Sequence, residues 1–202
     1  MDTALVMIDF QMDYFPAGRM ELVGAEAAAA EAQNLLHHCR QMGMPVVYLQ
    51  HISDRPGATF FLPETDGIAL HSSLEPLATE TVLEKHYPNS FRETGLEELL
   101  RGQGIKRLVL CGMMSHMCVD ATVRAAFDLG FSCLLAHDAC ATRNLQFADR
   151  EIDAASVHGA FMAALGAVYA RVMTARECID LLSRCNYSGR GRELAQPPPV
   201  TV

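Results

Sequence analysis

The chain has 202 residues, half of them hydrophobic, with 16 Lys and Arg against 24 Asp and Glu and a formal net charge of −8. This length and apolar content predict a single domain with a sizeable core. The acidic balance, without a cluster of basic residues, argues against nucleic acid or an anionic membrane as a partner and favours a small-molecule substrate. No apolar run approaches the roughly 20 residues that a membrane helix needs.

The first quarter of the chain alternates between a strand pattern and a helix pattern. Residues 3–9 form a nearly continuous apolar run ending at Asp9, which is typical of a strand buried on both faces of a parallel sheet. Residues 25–41 are alanine-rich and predict a helix, and residues 46–51 predict the second strand. The segment 53–76 is rich in Pro, Gly, Thr and Asp, and it is too long for a simple connection. Loops of that size often cover a site.

The middle of the chain repeats the alternation. Residues 81–85 predict a third strand that ends at Lys85, and a helix follows that ends at Gly102 or Gly104. Residues 107–111 are a short apolar run ending before a glycine, and residues 118–129 have apolar positions at helical spacing. We interpret this stretch as strand, tight turn and helix.

The last third adds two more strands. Residues 131–137 and 167–172 predict strands, and residues 149–165 and 174–183 predict helices. Six strands alternating with helices favour an α/β fold, a doubly wound, Rossmann-like six-stranded parallel sheet with helices on both faces. We expect one domain over residues 1–185 and, because of its Gly and Pro content, an extended or disordered tail over residues 186–202.

The seven cysteines form no C-x-x-C pair, and the start of the chain lacks the features of a signal peptide. We therefore expect reduced cysteines and a cytoplasmic protein. The cysteines are Cys39, Cys111, Cys118, Cys133, Cys140, Cys178 and Cys185.

Three reactive side chains follow three of the predicted strands. Asp9 comes after the first strand, Lys85 after the third, and Cys118 in the first turn of the helix after the fourth. Carboxyl ends of parallel strands gather at one edge of the sheet, so the three side chains can converge there. The helix start also favours a thiolate at Cys118, because free N–H groups and the helix dipole stabilise negative charge.

Each residue alone has an ordinary interpretation. Asp9 can be a solvated loop carboxylate, Lys85 a surface lysine, and Cys118 one more small buried side chain. The three ordinary interpretations are harder to sustain together, because all three residues occupy the same kind of position in the topology.

Three blocks of sequence resemble the isochorismatase-like cysteine hydrolases, which include nicotinamidases, N-carbamoylsarcosine amidohydrolases and isochorismatases. The blocks are ALVMIDFQMDYF at residues 4–15, VLEKHYPNSF at residues 82–91 and LCGMMSHMCVDATVRAAFDLG at residues 110–130. They occur in the family's order, and the resemblance spans roughly residues 3–183.

The resemblance implies a triad of Asp9, Lys85 and Cys118, in which Cys118 forms a thioester-type intermediate that water later hydrolyses. It also implies a non-proline cis peptide between Met113 and Met114. The backbone N–H groups of Met114 and Cys118 would then form an oxyanion hole. No cofactor is implied, and family members commonly form homo-oligomers, so a dimer or tetramer is expected.

The chain departs from nicotinamidases where those enzymes bind a metal, with a D-x-H and nearby His arrangement after the second strand. Here that segment offers only His51 and Asp54, with His71 far along the loop, which is not convincing ligand spacing. We therefore expect no metal and interpret His51 and His71 as ordinary loop histidines.

Aromatic and methionine side chains near the triad are candidates for substrate binding. Phe15, Tyr87 and Phe91 follow Asp9 or Lys85 closely, and Met113 lies in the turn before Cys118. They can line a pocket for a flat or apolar substrate, or the aromatic residues can equally anchor loops to the core.

The predicted function is hydrolysis of a small-molecule amide, carbamoyl or related C–N bond. Cys118 would be the nucleophile, Asp9 the proton carrier and Lys85 the electrostatic support. Three alternatives stay open: vinyl-ether hydrolysis of the isochorismatase type, a catalytically silent binding or assembly module, and a peroxide-reactive thiol.

Overall fold

The computed structural model describes residues 2–187, which form eight strands and five α-helices. The strands are β1 (Thr3–Ile8), β2 (Val46–His51), β3 (Thr81–Lys85), β4 (Arg107–Met113), β5 (Ser132–Ala141), β6 (Leu145–Phe147), β7 (Arg150–Ile152) and β8 (Arg171–Met173). The helices are α1 (Ala25–Gln41), α2 (Leu96–Gly102), α3 (Asp120–Asp128), α4 (Ala154–Val168) and α5 (Ala175–Tyr187).

Six of the strands form one sheet in the order β3-β2-β1-β4-β5-β8. Every pair of neighbours in this sheet is parallel. The predicted doubly wound parallel sheet is therefore confirmed. No helix among residues 2–187 is both long enough and apolar enough to cross a membrane.

The two faces of the sheet carry two separate hydrophobic cores. Successive side chains of β1 alternate between them, since side chains along a strand point to opposite faces. Leu5 and Met7 belong to the core that includes residues of α1 and α5. Val6 and Ile8 belong to the core that includes residues of α2, α3 and α4. A strand buried on both sides explains why residues 3–8 are apolar without alternation.

The order of the strands reverses between β1 and β4. From β1 the sheet extends through β2 to β3 in one direction, and from β4 it extends through β5 to β8 in the other. The connections that follow β1 and β4 run to opposite faces of the sheet, so a crevice forms between them at the carboxyl ends of the strands. Doubly wound sheets bind ligands in this crevice.

Two helices start later along the chain than the sequence predicted. The helix predicted for 149–165 is α4, which starts at Ala154 because the Asp153 carboxylate accepts a hydrogen bond from the Ser156 N–H at 2.9 Å and caps it. The residues before it form the antiparallel hairpin β6-β7, which the sequence analysis missed. The helix predicted for 118–129 is divided into a π-helical turn at Ser115–Val119 and α3.

The predicted end of the last helix also differs, since α5 continues through Tyr187 rather than ending at Ser183. Residues 188–202, which make up most of the predicted tail, lie outside the described residues.

Candidate active site

Four polar side chains meet at the carboxyl ends of β1, β2, β3 and β4. The Asp9 Oδ2 atom lies 2.8 Å from the Lys85 Nζ atom, and both side chains are fully buried. A carboxylate oxygen of Asp9, a ring nitrogen of His51 and the Cys118 sulfur all lie within 4.8 Å of one another. The structure thus brings together Asp9, Lys85 and Cys118, and it adds His51 to them.

Asp9 occupies a strained backbone position immediately after β1. Its φ of 53° lies in the left-handed region, which costs a non-glycine residue roughly 1 kcal/mol or more and is tolerated where the surroundings fix it. Its N–H donates to the Leu49 carbonyl at 3.0 Å. Within residues 2–187 neither carboxylate oxygen makes a well-aligned hydrogen bond, so the ion pair with Lys85 and the nearby Cys118 thiol compensate the buried charge.

Lys85 is the side chain that holds the cluster together. It is fully buried, so its interpretation as a surface lysine is wrong. Besides Asp9, its ammonium contacts His51 Nδ1 at 3.2 Å and donates to the Tyr87 carbonyl at 3.2 Å. Burial works to lower the pKa of Lys85, but the charges of Asp9 and Cys118 outweigh it and leave the pKa raised. Lys85 therefore stays protonated.

Cys118 lies in the π-helical turn and is 5% exposed. Burial, and next the charge of Asp9, raise the pKa of its thiol, while Lys85 opposes them. The expected stabilisation of a resting thiolate is therefore wrong, because desolvation outweighs the favourable charge of Lys85 and the position before a helix. In the resting protein Cys118 is a thiol beside the carboxylate of Asp9.

The carboxylate is suited to accept the thiol's proton. Burial raises the pKa of Asp9 above its ordinary value of 3.8, against the lowering effect of Lys85 and of its contact with Cys118. A carboxyl group whose pKa is shifted toward the working pH is a stronger base than an exposed one. Asp9 and Cys118 thus form an acid–base pair with Lys85 as its fixed positive charge.

The turn before Cys118 is fixed by backbone geometry and by two neighbouring elements. The Met113–Met114 peptide bond is cis, at the position where the family resemblance places one. Gly112 has φ of 143°, and a side chain there would collide with the Ile8 carbonyl oxygen. Ser115 Oγ donates to the Ala141 carbonyl at 3.2 Å and lies 2.8 Å from His158 Nδ1. The predicted oxyanion donors, the Met114 and Cys118 N–H groups, belong to this fixed turn.

The long loop 53–76 packs against the segment that follows Asp9. The Phe61 N–H donates to Asp13 Oδ2 at 2.6 Å, and the Phe61 ring packs edge-on against Tyr14 with ring centroids 4.6 Å apart. Gln11 donates to the Ile68 carbonyl at 3.1 Å and to the His51 carbonyl at 2.9 Å. The loop therefore closes the side of the site that is formed by residues 10–15.

The four predicted substrate-binding residues occupy different environments. Phe15 is fully buried and stacks on His71 with ring centroids 4.1 Å apart, and Met113 is also fully buried. The Phe91 ring stacks on a core phenylalanine. Tyr87 is partly exposed under the Arg92 guanidinium at 3.5 Å from its ring centre. Their role in substrate binding stays a prediction.

His51 is not a loop histidine, so that part of the sequence interpretation is wrong. It ends β2, is 6% exposed and takes part in the cluster. Burial, and next the charge of Lys85, lower its pKa to about 3, so it is neutral at ordinary pH and its Nδ1 can accept from the Lys85 ammonium.

Among residues 2–187 the donor atoms of Asp9, His51 and Cys118 are the one group of three that lies close enough to hold a metal ion. The Lys85 ammonium, however, contacts two of these three side chains and would repel a cation placed between them. The prediction that the site uses no metal is therefore kept.

Two further residues near the site were missed. Tyr14 is buried, and burial, followed by the charges of Cys118 and Asp9, raises the pKa of its hydroxyl. Arg143 follows β5, and its charge acts on the same hydroxyl. Tyr14 ends a short 3-10 helix, Met12–Tyr14, and Arg143 lies in the loop after β5, and the sequence does not reveal the path of either segment. His51 had a visible signal, because it is a strand end like Asp9 and Lys85.

The sequence matches a family model and proteins of known sequence. The family model "Isochorismatase domain" matches residues 3–176. The chain is 53% identical over 174 residues to the uncharacterized isochorismatase family protein YddQ of Bacillus subtilis (strain 168), covering 86% of this chain and 97% of that protein.

Two crystal structures resemble the fold closely. An isochorismatase from Pseudomonas putida KT2440 is 37% identical with a TM-score of 0.82, covering 87% of this chain and 89% of that one. An N-carbamoylsarcosine amidase from Thermoplasma acidophilum is 29% identical with a TM-score of 0.73, covering 87% of this chain and 97% of that one.

Proposed function

The chain belongs to the isochorismatase family of hydrolases, and from that premise we propose that it cleaves a small-molecule amide, carbamoyl or related C–N bond through an acyl intermediate on Cys118. The observation that carries the proposal is the buried Asp9–Lys85 ion pair, 2.8 Å long, with the Cys118 thiol within reach of both groups. The likeness to an N-carbamoylsarcosine amidase supports cleavage of a C–N bond.

The first half of the reaction forms the acyl intermediate. Asp9 takes the thiol proton while the sulfur attacks the carbonyl carbon, so that a C–S bond forms and the carbonyl oxygen becomes an oxyanion. The N–H groups of Met114 and Cys118 would stabilise that oxyanion. When the tetrahedral species collapses, the C–N bond breaks and Asp9 returns the proton to the leaving nitrogen.

The second half releases the acid. Asp9, again a carboxylate, takes a proton from water as the water oxygen attacks the thioester carbon. The C–S bond then breaks, and the proton returns to the sulfur. Lys85 stays protonated throughout and offsets the negative charge that moves between Asp9, the sulfur and the oxyanion.

A panel of primary amides and carbamoyl compounds tests the proposal by release of ammonia or amine. Cys118→Ala should lower kcat/KM by about 10⁴-fold or more, because the nucleophile is lost. Cys111→Ala is the matched control, since Cys111 is also fully buried but lies inside β4. It should keep activity within about 10-fold, as a small core cavity mainly affects stability. Undiminished turnover by the Cys118→Ala protein would sink the assignment.

A further inference from the structure

Ser115 links the turn before Cys118 to two neighbouring elements. Its side chain is completely buried, and its Oγ donates to the Ala141 carbonyl of β5 at 3.2 Å. The same Oγ lies 2.8 Å from Nδ1 of His158, a partly buried residue of α4. Ser115 directly follows Met114, whose N–H is a predicted oxyanion donor. A hydroxyl held at both contacts therefore constrains the backbone on which the proposed reaction depends.

The next residue of the turn, His116, is held by the same part of the molecule. Its Nδ1 lies 2.6 Å from Oγ1 of Thr142, which directly follows β5. Its ring packs edge-on against Phe161 of α4, with ring centroids 6.0 Å apart. His158 and Phe161 are three residues apart in α4 and therefore lie on the same side of that helix. The end of β5 and one side of α4 thus hold two consecutive residues of the turn.

The hydrogen bonds of Ser115 determine which nitrogen of His158 carries hydrogen. A serine hydroxyl has one hydrogen and a carbonyl oxygen only accepts, so the hydrogen of Ser115 goes to the Ala141 carbonyl. The 2.8 Å contact then needs a hydrogen on Nδ1 of His158, and we assign this tautomer from the hydrogen-bond pattern. Burial, and next the charge of His137, lower the pKa of His158, so the ring is neutral at pH 7. His158 is therefore a neutral N–H donor to the turn.

We propose that Ser115 and His158 are positioning residues, which hold the turn so that the predicted oxyanion donor and the Cys118 thiol face the same carbonyl group. Both side chains act through the backbone of the turn and not by touching the substrate. The inference rests on the proposed function, since it takes the Cys118 site as the place of reaction. A displacement of about 1 Å at the reacting groups can lower a rate by about 100-fold. One neutral hydrogen bond contributes only modestly to the free energy of unfolding. Loss of either side chain should therefore affect catalysis more than folding.

Kinetics on the best substrate of the amide panel test this role. Ser115→Ala and His158→Leu should each lower kcat by about 10- to 100-fold and change KM by less than about 3-fold, because substrate contacts stay while the reacting groups lose their alignment. The double variant should lose little more than either single variant, since the two side chains act through one hydrogen bond. An unchanged kcat in both single variants would overturn the proposal.

Two amide replacements of His158 distinguish hydrogen bonding from packing. The amide nitrogen of asparagine can take the place of Nδ1, whereas that of glutamine corresponds to Nε2. His158→Asn should therefore restore most of the kcat that His158→Leu loses, and His158→Gln should not. Equal kcat values for the Asn and Gln variants would show that the Nδ1–H donor has no part in positioning.

Ser183 and His38 form a matched control pair away from the turn. Ser183 Oγ donates to the Ile179 carbonyl at 2.8 Å and lies 3.3 Å from His38 Nε2, so it bridges α5 and α1. Ser183→Ala and His38→Leu should lower the urea midpoint about as much as the variants of the turn, but keep kcat within about 2-fold. A loss of kcat in this control pair as large as in the Ser115 pair would attribute the effect to general destabilisation and refute positioning.

Alkylation by iodoacetamide separates failure of this inference from failure of the proposed function, because it needs no amide substrate. In the wild type Cys118 should be labelled faster than Cys111, and Ser115→Ala and His158→Leu should slow labelling of Cys118 by about 10-fold, as measured by peptide mass spectrometry. This pattern without amide hydrolysis by the wild type would reject the proposed function alone. Labelling of Cys118 at an equal or higher rate in both variants would reject the positioning role. Wild-type Cys118 labelled no faster than Cys111 would contradict both.

Discussion

Cys118 and Cys111 are two buried cysteines in two regions of one molecule, and they differ in their neighbours rather than in their resting ionisation. Burial is the main factor that raises the thiol pKa in both. Cys111 lies in the core beneath α1 and α5, where the charges that affect it next come from other cysteines. Cys118 lies at the crevice, where Asp9 and Lys85 surround it.

The difference shows what makes a buried thiol reactive. Neither cysteine is held as a thiolate, so a low pKa is not the distinguishing property of the candidate nucleophile. Cys118 instead has a proton acceptor within reach, and that acceptor is kept in place by a buried ammonium. Cys111 lacks such a pair among the groups that act on it. In the proposed mechanism the thiol is therefore activated during attack, when its proton moves to Asp9.

Removal of the proton acceptor should make Cys118 as inert as Cys111, which is the largest effect we expect from a neighbour of the nucleophile. Asp9→Asn keeps the size of the side chain but cannot take the thiol proton. We expect kcat/KM to fall by about 10³- to 10⁴-fold, the range for a lost general base. Steady-state kinetics on the best substrate of the amide panel measures it.

Asp120→Asn is the matched control for this variant. Asp120 is close in sequence to the nucleophile but makes an i,i+4 ion pair with Arg124 at 2.9 Å, away from the thiol's proton path. Its replacement should change kcat/KM by less than about 3-fold, since such pairs stabilise a helix only slightly. Equal activities of the Asp9→Asn and Asp120→Asn proteins would show that Asp9 carries no proton.

A smaller effect should come from His51, which belongs to the polar region but not to the proton path. Its pKa is lowered from 6.5 to about 3 in the folded protein, so between these values the unfolded chain binds a proton that the native state does not. The free energy of unfolding must then decrease as the pH falls through this window. His51→Gln removes this contribution.

Between pH 7 and pH 4 the wild type should lose about 3 kcal/mol more stability than His51→Gln, as measured by urea unfolding at several pH values. His37→Gln, which replaces an exposed histidine of α1, serves as the control and should behave like the wild type. Parallel stability curves for the wild type and His51→Gln would mean that His51 titrates normally in the native state.

The sequence predicted the site residues whose positions follow from the order of the parallel strands. Asp9 and Lys85 end strands, and Cys118 follows one, so the parallel sheet alone was enough to predict that they meet. His51 obeys the same rule, since it ends β2, although its spacing from Asp54 and His71 does not match that of metal ligands. Arg143 gave no signal, because its position depends on where β5 ends relative to the turn.

Local conformation was harder to predict than topology. The apolar spacing after Cys118 predicted one helix over residues 118–129, but its first two residues belong to a π-helical turn, Ser115–Val119, and α3 begins at Asp120. The helix position suggested a thiolate, whereas complete burial of the thiol determines its pKa. Burial depends on the loops and helices that cover the crevice, and no local pattern in the sequence reports it.

The acyl intermediate itself offers the most direct test. The wild type is mixed with its best amide substrate, quenched in acid within the first turnovers, and digested with trypsin. One tryptic peptide, residues 108–124, carries both Cys111 and Cys118, so fragmentation between them assigns the modified sulfur. We predict the mass of the acyl group on Cys118 and an unmodified Cys111. Rapid product formation with both sulfurs unmodified at every quench time, and with full activity in Cys118→Ala, would contradict covalent catalysis by Cys118.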